Sequence, residues 1–440
     1  MAGATLRSIG PAITRLEDRA RHHIGLRLLP FLFILYITNF LDRTSVAYAA
    51  IGMARDLGFN ERVFGMGIGV FFLGYLALQI PGALLVEYWS ARRMISATMI
   101  AWGSLTALTA LVHVPVQLYL ARFLLGAAEA SFFPGVIVYL SHWFIREDRA
   151  KATSNFMAAI PLSLIIGSPV AGWILSHDWF GIQGWRWLFL LEGMPAILLG
   201  IVAFFFLTDS PSEAAWLAPD HQQWIIRKLQ EEKPPKWQSV RLGLTLRSRT
   251  VLLLAAAGFL NYFTGYAVIF WFPSVLKHQS GFSDLRVGVI GALPYVVAFI
   301  AMMFNGWHSD RSRERRWHAA VPMFTAAAGL LCLSTMPSSP SMMVLLFSVI
   351  CVEKGFLPAF WAIPTENLSE STAAVAVGMI SAIASIAGFA GPYAFAYLHT
   401  RTGALSTGFS LLMISAFSAG ILMLLTPTTA QSRTSELVAP

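Results

Sequence analysis

The stretch Gly306-Trp-His-Ser-Asp-Arg-Ser-Arg-Glu-Arg-Arg316 lies between two apolar runs and carries six charged residues in eleven positions. A related pattern occurs 223 residues earlier, where Glu87 takes the place of Asp310 and Arg92 takes that of Arg315. The later copy follows the eighth apolar run of the chain, and the earlier copy follows the second run. This spacing predicts an internal repeat, with two similar halves of six apolar runs each.

The composition indicates a membrane protein. Of the 440 residues, 56% are hydrophobic and 12% are charged, whereas soluble domains contain about 25% charged residues. One bilayer crossing takes about 20 apolar residues and a short connection, so a chain of this length holds about 12 crossings. We therefore predict an all-α membrane protein, most of which lies in the lipid bilayer.

The apolar runs, bounded by charged residues, Pro or Gly, predict twelve transmembrane spans. They lie near 27–53, 63–88, 94–112, 116–140, 152–175, 185–207, 249–272, 285–306, 317–335, 341–363, 373–398 and 405–426. The long polar segment 208–248 divides them six and six. The predicted organisation is an N-terminal tail (1–26), a first half (27–207), a central loop (208–248), a second half (249–426) and a C-terminal tail (427–440).

The distribution of basic residues predicts the orientation. The chain has 31 Lys and Arg against 23 Asp and Glu, and most of the basic residues fall in the tails and in alternate connections. Six fall in the other connections: Arg55, Arg62, Arg186, Lys277, Arg286 and Arg401. The asymmetry predicts that both termini are cytoplasmic, in a cell (inner) membrane. Because the basic residues form no single patch, we expect no nucleic-acid partner.

Metal, cofactor and enzyme chemistry are not expected. Cys332 and Cys351 are the two cysteines, and both lie in apolar runs, so neither a disulfide framework nor a multi-cysteine metal site is available. The ten histidines are scattered without H-E-x-x-H or similar spacing. The sequence therefore predicts no metal, no cofactor and no catalytic site.

Ionisable residues inside the spans are the functional candidates, because each costs at least ~2.5–3.5 kcal/mol at mid-bilayer. Asp42 and Arg122 have similar predicted depths, so they can pair between spans 1 and 4. Glu129 lies two turns from Arg122 on the same face. A static charge network that holds span 1 on span 4 is the alternative. The seven candidates are Asp42, Arg43, Arg122, Glu129, Glu192, Glu353 and Lys354.

Arg43 lies about 100° around the helix from Asp42, so the two side chains face different neighbours. The guanidinium fork of Arg43 suits a carboxylate. If Lys354 in span 10 faces a cavity, it offers a second cation for a substrate with two acidic groups. If Lys354 is neutralised inside the helix bundle, it gives no information about the substrate. Tyr75 and Trp361 either line a slot for an apolar or ring-shaped substrate or only pack.

The stretch 306–316 resembles the G-x-x-x-D-R-x-x-R-R loop that follows spans 2 and 8 in the major facilitator superfamily. The earlier copy departs from it, with Ala83, Glu87, Tyr88 and Ser90 in place of Gly, Asp, Arg and Gly. An acid at a helix end facing arginines can latch the inward gate through charge-assisted hydrogen bonds. The alternative is that these charges only set the orientation of the chain in the membrane. The gating candidates are Glu87, Arg92, Asp310, Arg311 and Arg315.

Four further stretches are similar to the anion:cation symporter family within that superfamily. They are Tyr36-Ile-Thr-Asn-Phe-Leu-Asp-Arg43, Arg122-Phe-Leu-Leu-Gly-Ala-Ala-Glu-Ala-Ser-Phe-Phe-Pro-Gly135, Gly184-Trp-Arg-Trp-Leu-Phe-Leu-Leu-Glu-Gly193 and Phe360-Trp-Ala-Ile-Pro364. Phe156-Met-Ala-Ala-Ile-Pro161 resembles the tartrate, phthalate and hydroxyphenylacetate permease branch. The resemblance implies a twelve-helix major facilitator fold that imports organic carboxylates with protons, or with sodium in some branches. It implies that Arg43 binds the substrate carboxylate, that Asp42 and Glu129 carry protons, and that Arg122 switches partners.

Span 11 departs from the family pattern. Where the family often has Asn-Ser-x-x-Asn, this chain has Ser381, Ala382 and Ser385. Ser381 remains a candidate substrate contact. The loss of both carboxamides removes donors for substrate hydroxyls and argues against a polyhydroxy sugar acid.

We expect a secondary active transporter that imports an organic mono- or dicarboxylate, aromatic acids included, by proton symport and alternating access. Its expected partners are the small organic anion, protons and the lipid bilayer, and we expect a monomer. A Na⁺-coupled carboxylate symporter or an organic-anion exporter is the alternative, and a channel or membrane enzyme is a remote one. The sequence leaves open the exact substrate, the stoichiometry and the roles of Glu192, Glu353 and Lys354.

Overall fold

The twelve predicted spans are helices in the computed structural model, which describes residues 2–232, 248–336, 339–367 and 370–427 and contains no strand in those ranges. Spans 1 to 6 are Ala2–Leu57, Glu61–Tyr88, Ala91–Thr109, Pro115–Glu129 with Phe132–Trp143, Arg146–Met157 with Ala159–Leu175, and Gly184–Phe206. Spans 7 to 12 are Arg249–Ser280, Asp284–Gly291 with Leu293–Ser312, Arg316–Thr335, Pro340–Cys351 with Phe356–Asn367, Glu370–Thr402, and Leu405–Leu425. A further helix, Pro219–Glu231, lies between the halves in sequence.

Several helices continue past the apolar runs that predicted them. Span 1 begins at Ala2 and includes the residues predicted as a polar tail, and span 7 runs to Ser280, eight residues past the predicted position 272. Polar residues outside the apolar run can continue a helix, because the backbone hydrogen bonds do not depend on burial. The C-terminal tail from residue 428 lies outside the described residues.

Four spans are broken into two helices, and a proline follows each break within three residues. The second pieces of spans 4, 5, 8 and 10 begin Phe-Phe-Pro134, Ala-Ile-Pro161, Leu-Pro294 and Phe-Leu-Pro358. Proline has no N–H for the intrahelical ladder, and its ring collides with the carbonyl four residues earlier. In span 10 the break is a 3₁₀ turn, Val352–Gly355, which includes Glu353 and Lys354.

Side-chain caps fix where several helices begin. Asn60, Ser90, Ser283 and Ser339 each accept a hydrogen bond from the backbone N–H three residues later, at the starts of spans 2, 3, 8 and 10. Such caps satisfy N–H groups that have no partner inside the helix. Eleven spans in the described part of the chain are long and apolar enough to cross a membrane, and span 3, with buried Ser96, Thr98 and Thr106, is the exception.

The two halves meet along three pairs of helices: span 2 with span 11, span 5 with span 8, and span 1 with span 7. We call the end of the bundle with Arg92, Arg149 and Arg315 the basic end, and the end with Glu61 and His399 the opposite end. Between spans 2 and 11 the contact is reciprocal. The ring of Phe389 lies on Gly69, the ring of Phe72 lies on Gly388, and neither glycine has room for a Cβ.

Candidate functional site

Arg43 and Glu129 form a buried ion pair between spans 1 and 4. Arg43 Nε donates to Glu129 Oε1 at 2.8 Å, and a second guanidinium nitrogen donates to the same oxygen. Glu129 is 1% exposed and Arg43 is 9% exposed. The Arg43 guanidinium carbon also lies 5.0 Å from the centre of the Tyr75 ring. The candidate substrate residues Arg43 and Tyr75 are therefore in contact, and Glu129 neutralises the cation.

Arg122 is a second cation beside this pair, and its three guanidinium nitrogens have no hydrogen-bond partner among the described residues. It is fully buried, and its guanidinium carbon lies 4.6 Å from the centre of the Phe71 ring. The same ring lies 5.5 Å from the Arg43 guanidinium carbon. Glu129 Oε2 is likewise buried without a partner. A buried charge without a partner is costly, so this site holds a cation and a carboxylate oxygen that can each accept a new partner.

Asp42 does not pair with Arg122, which corrects the sequence-based expectation. Both carboxylate oxygens accept hydrogen bonds from Thr106 Oγ1 on span 3, at 2.6 and 2.7 Å. Matched depth along two helices does not fix which face each helix turns to the other, and span 3 supplies the nearer partner. The adjacent side chains of Asp42 and Arg43 do face different neighbours, as predicted, because Asp42 faces span 3 and Arg43 faces span 4.

A second charged cluster lies in the second half, at the 3₁₀ turn of span 10. Lys354 Nζ lies 2.6 Å from Glu353 Oε1, and Asn261 Nδ2 of span 7 donates to Glu353 Oε2 at 2.8 Å. Glu353 is 2% exposed. Lys354 also lies against Gly265 of span 7, where a Cβ would come within 2.8 Å of Nζ.

Aromatic rings occupy the space between the two charged clusters. The rings of Phe72 in span 2 and Tyr266 in span 7 lie 4.6 Å apart across the halves. Tyr266 stacks on Tyr262 and on Phe270 along span 7, with ring centres 5.9 and 6.1 Å apart. Tyr266 is also within electrostatic range of both Arg43 and Lys354. The two cations therefore approach one aromatic region from opposite halves.

The remaining predicted substrate residues lie on spans 10 and 11. Trp361 is half-buried beside Phe360, and its Nε1 is buried without a hydrogen-bond partner among the described residues. Ser381 is half-buried, and its carbonyl oxygen accepts from Ser385 Oγ at 3.1 Å. Ser385 also makes a 3.5 Å contact with Gln79 Oε1 of span 2, across the halves.

Glu192 is half-buried in span 6, and its Oε2 has no hydrogen-bond partner in the described part of the chain. It lines a small cavity together with Ser45, Tyr48 and Ser168. Tyr48 donates to Ser168 Oγ at 2.6 Å, so span 1 and span 5 are joined beside this cavity. The Glu192 carboxyl interacts with Ser45 and with the nearby Asp42, so Glu192 lies beside the proton-coupling candidates.

The gating candidates lie at the basic end, where the ion pairs they form join residues of one half. Asp310 pairs with Arg315 at 2.6 Å, and Arg315 also pairs with Glu366 at the end of span 10 at 2.6 Å. Arg311 lies 5.8 Å from the exposed Trp307 ring.

In the first half, Arg92 lies 3.7 Å from Asp209, which follows span 6, and its backbone N–H donates to the same carboxylate. Glu87 lies in the last turn of span 2, and its side chain lies outside the described part of the structure.

Glu314, in the loop between spans 8 and 9, is fixed by hydrogen bonds. Its carboxylate accepts from the backbone N–H of Trp317 at 2.9 Å and lies 2.8 Å from His318 Nδ1. Partial burial works to raise the pKa of Glu314, but the hydrogen bonds from Trp317 and His318 outweigh it and hold that pKa below its ordinary value. His318 in turn lies 2.6 Å from His308, so the loop is ordered by a chain of polar contacts.

At the opposite end the two halves touch directly. His399 Nδ1 of span 11 and Glu61 of span 2 form a hydrogen bond. Spans 5 and 8 meet at Gly172 and Gly288, where a Cβ on Gly172 would lie 2.6 Å from the carbonyl oxygen of Asp284. The opposite end is therefore closed by contacts between halves, while the named ion pairs at the basic end each stay within one half.

The fold and this intramembrane site define a multi-pass membrane transporter built from two six-helix halves. Residues 32–392 match the family model described as Major Facilitator Superfamily. The chain belongs to the major facilitator superfamily, and its fold is the twelve-helix major facilitator fold. It is a transporter of a small molecule and not an enzyme.

Relatives and a solved structure agree with this family. The chain is 38% identical, over 97% of its own length and 96% of the relative's, to a protein of Agrobacterium vitis provisionally named a tartrate transporter. It is 37% identical, over 82% and 84% of the two lengths, to a protein of Pseudomonas putida provisionally named the metabolite transport protein NicT. A bacterial homologue of the human lysosomal transporter Spinster, solved inward-facing and unoccupied, superposes with a TM-score of 0.71 at 18% identity, over 94% of this chain and 97% of that one.

Several residues of the site were missed by the sequence reasoning. Thr106, Asn261, Phe71 and Tyr266 each contact a charged or aromatic member of the site, but their residue types are common in membrane helices. Asn261 carried the clearest signal, because a carboxamide inside an apolar span needs a polar partner. Thr106 gave no such signal, since a threonine hydroxyl can bond the backbone of its own helix.

Proposed function

We propose that this protein imports an organic carboxylate together with protons by alternating access. The observation that carries the proposal is the group Arg43, Glu129 and Arg122. It contains two buried cations and one carboxylate with a free oxygen, beside an aromatic region at the interface of the halves. Glu129 neutralises one of the two cations, so the guanidinium fork of Arg43 becomes available to an anion only when the charge of Glu129 is removed.

Binding of a proton to Glu129 removes this charge. A proton on Glu129 Oε2 weakens the ion pair with Arg43, and the guanidinium fork of Arg43 then accepts the carboxylate of the substrate. After the substrate leaves, Glu129 releases the proton and pairs with Arg43 again. Arg122, which lies against the same Phe71 ring, favours the ionised form of Glu129 and so promotes release of the proton after the substrate has left. Asp42, held by Thr106, is the second proton carrier.

The contacts at the two ends of the bundle indicate which gate is closed and which is open. Contacts between halves close the opposite end, so the substrate cavity opens toward the basic end. Closure of the basic end requires Asp310, Arg311 and Arg315, with Glu87 and Arg92 in the first half, to exchange partners as the halves approach. By the positive-inside rule the basic end faces the cytoplasm, which places both termini there in a bacterial inner membrane. A monomer is sufficient for this cycle.

The names of the two relatives support a small-molecule substrate, and the intramembrane cations support an anionic one. Tyr75, Trp361 and Ser381 complete the substrate site, with Lys354 as a second cation. An exporter or a Na⁺-coupled symporter of the same fold would respond differently to imposed ion gradients, which distinguishes these alternatives.

The test is uptake of radiolabelled carboxylates by proteoliposomes with imposed gradients. An inward proton gradient should drive accumulation that saturates with substrate and disappears with a protonophore. An inward Na⁺ gradient at equal pH should not replace it, and protein-free liposomes are the control. Accumulation driven by Na⁺ alone, or uptake that never exceeds equilibrium under a proton gradient, would contradict the proposal.

A further inference from the structure

Glu192 of span 6 is an intramembrane acid that the proposed transport cycle does not use. Its Oε2 is buried and has no hydrogen-bond partner among the described residues. Span 6 does not need this acid to pack on span 1, because Trp185 Nε1 donates to Asp56 at 3.0 Å and the Trp185 ring lies against Gly52. An ionisable side chain inside a membrane span is costly, and helix packing gives no reason for this one.

The cavity beside Glu192 lies on the side of Asp42 that faces the opposite end of the bundle. Ser45 and Tyr48 line this cavity, and they follow Asp42 by about one and two turns as span 1 runs toward the opposite end. The Ser45 hydroxyl donates to the Asp42 carbonyl oxygen at 2.7 Å and interacts with the Glu192 carboxyl. The two carboxyl groups also interact electrostatically. Ser45 is therefore placed to pass a proton from Glu192 to Asp42.

Asp42 itself is sealed from water. It is 1% exposed, and Thr106, which holds both of its carboxylate oxygens, is fully buried. A proton that reaches Asp42 in this closed arrangement needs an intermediate group within hydrogen-bonding reach of it. Ser45 and Glu192 supply such a group on the side of the opposite end.

The far wall of the cavity belongs to the contact that closes the opposite end. Ser168 of span 5 lines the cavity, and its carbonyl oxygen would collide with a Cβ on Gly288 of span 8. Tyr48 donates to Ser168 Oγ at 2.6 Å, and its hydroxyl would lie 3.6 Å from a Cβ on Gly291 of span 8. When the opposite end opens and spans 5 and 8 separate, Ser168 and Tyr48 lose this cover. The cavity then meets water on that side.

We propose that Glu192 receives the proton destined for Asp42 from the opposite end while that end is open, and that Ser45 passes it on to Asp42 after closure. This inference rests on the proposed proton-coupled import and adds a residue to it. In the transfer the O–H bond of protonated Glu192 breaks, Ser45 Oγ accepts that proton, and the proton that Ser45 carried passes to the Asp42 carboxylate. Glu192 is left ionised, Asp42 neutral and Ser45 unchanged.

This arrangement opens the proton route and the opposite end together. A proton site that is open to both sides would dissipate the gradient without moving substrate. Because spans 5 and 8 cover the cavity when they meet, Glu192 exchanges protons with one side only. Glu192 passes its proton on and retains none, so the number of protons per substrate does not depend on it.

The experiment measures the initial rate of proton-driven uptake in proteoliposomes, with a radiolabelled carboxylate that the wild type accumulates. Glu192→Gln should lower this rate by about tenfold or more, because a positioned proton donor is lost. Exchange of internal for external substrate, and the ligand-induced rise in melting temperature, should stay close to wild type, since neither requires a new proton on Asp42. Glu192→Asp, which keeps an acid, should restore most of the rate. Glu213→Gln, at an exposed acid after span 6, is the matched control.

Ser45→Ala provides a second variant, because it removes the hydroxyl and leaves both acids in place. It should slow proton-driven uptake as Glu192→Gln does. In both variants uptake should become more sensitive than in the wild type to replacement of water by heavy water, since proton delivery then limits the rate. A purely structural defect would not change that sensitivity. Ser348→Ala, which removes a hydroxyl bonded to its own helix in span 10, is the control.

The side from which the proton arrives is tested by thiol labelling in intact cells, where the opposite end faces outward. In a background with Cys332 and Cys351 replaced by Ser, Ser168→Cys should react with an impermeant thiol reagent during transport. Ser163→Cys, which lies about 7.5 Å closer to the basic end on the same helix, should not react. Absence of labelling at Ser168→Cys would overturn proton access from the opposite end.

The outcomes separate the two proposals. If the wild type accumulates no carboxylate under a proton gradient, the proposed function itself fails. If the wild type accumulates it and Glu192→Gln does so at the same rate, proton-coupled import stands and the role of Glu192 is wrong. A Glu192→Gln variant that loses uptake, exchange and binding together, with unchanged sensitivity to heavy water, would equally overturn that role. A wild-type rate in Ser45→Ala alone would remove Ser45 from the route.

Discussion

Glu129 accepts both hydrogen bonds from Arg43 on a single oxygen, Oε1, and its other oxygen is buried without a partner. A carboxylate held in this way can take a proton on the second oxygen without first moving away from Arg43. The ion pair between spans 1 and 4 is therefore placed to be weakened by protonation and restored by deprotonation, which is the requirement for coupling a proton to an anion.

Replacing Arg43 by Lys should weaken substrate binding by about tenfold or more, because Lys keeps the charge but cannot form two parallel hydrogen bonds to a carboxylate. Binding can be measured as the ligand-induced rise in melting temperature of the purified protein. Arg62→Lys, at the start of span 2, is the matched control and should bind as the wild type does. Unchanged affinity in Arg43→Lys would remove Arg43 from the substrate site.

Neutral variants of the two proton carriers should separate coupling from binding. Asp42→Asn and Glu129→Gln should abolish accumulation driven by a proton gradient, because neither side chain can then release a proton. At least one of them should retain exchange of internal for external substrate, which needs no net proton movement. Asp18→Asn, which changes an exposed acid outside the membrane core, serves as the control for proton-driven accumulation. Concentrative uptake in both neutral variants would place the carriers elsewhere.

Arg315→Ala should slow transport much more than it weakens binding, because Arg315 pairs with Asp310 and Glu366 at the basic end and lies far from the aromatic region. We expect the maximal uptake rate to fall by about tenfold, with half-saturation within about twofold, as the loss of a network of charge-assisted contacts would give. Arg227→Ala, which removes an exposed pair with Glu231, should have almost no effect. A selective loss of affinity in Arg315→Ala would argue against a gating role.

Gly172→Ala should hinder closure of the opposite end, because the added Cβ would meet the carbonyl oxygen of Asp284 at 2.6 Å. A single cysteine placed in the cavity should become more reactive toward an impermeant reagent added from that side. Gly25→Ala is a suitable control, since no atom lies within 4 Å of a Cβ there. Equal labelling in the two variants would mean that spans 5 and 8 tolerate the methyl group by a small shift.

Glu314→Gln should lower the melting temperature at neutral pH and lose that effect in acid. The pKa of Glu314 is held below its ordinary value in the folded protein, so its ionised form stabilises the fold above the unfolded pKa. This contribution is lost as the pH falls through the lowered folded-state pKa. Thermal unfolding of both proteins between neutral and acid pH measures it, and a difference that grows toward low pH would contradict the assignment.

The twelve spans could be predicted because each apolar run is long enough to cross a bilayer, and the observed helices follow those runs closely except where polar turns extend them. The breaks in spans 4, 5, 8 and 10 could not be predicted in this way, because prolines also lie inside the unbroken helices of spans 2, 6, 7, 9 and 11. The charged residues of the site stand out because ionisable groups are rare in such runs. Asp42, Arg43, Arg122 and Glu129 could be selected on this ground alone.

The partners of those charges could not be predicted. Depth along a helix follows from residue counting, but the face that a helix turns to its neighbour is set by packing across the whole bundle. Asp42 therefore bonds Thr106 of span 3 rather than Arg122, and Arg92 meets Asp209, more than a hundred positions away in the chain. The pairing of Lys354 with the adjacent Glu353 was equally hidden, because it depends on the 3₁₀ turn that brings neighbouring side chains together.

The reciprocal sockets between spans 2 and 11, with Phe389 on Gly69 and Phe72 on Gly388, also bear on how transport responds to temperature. When these rings leave their glycines, apolar surface passes from protein to water, and such exposure carries a positive heat capacity. The enthalpy of separating spans 2 and 11 then changes with temperature. A van 't Hoff plot of the ratio of inward-open to outward-open protein is therefore curved and not straight. A protein with this interface should have a temperature at which the closed side is most stable, with opening favoured by both warming and cooling from it.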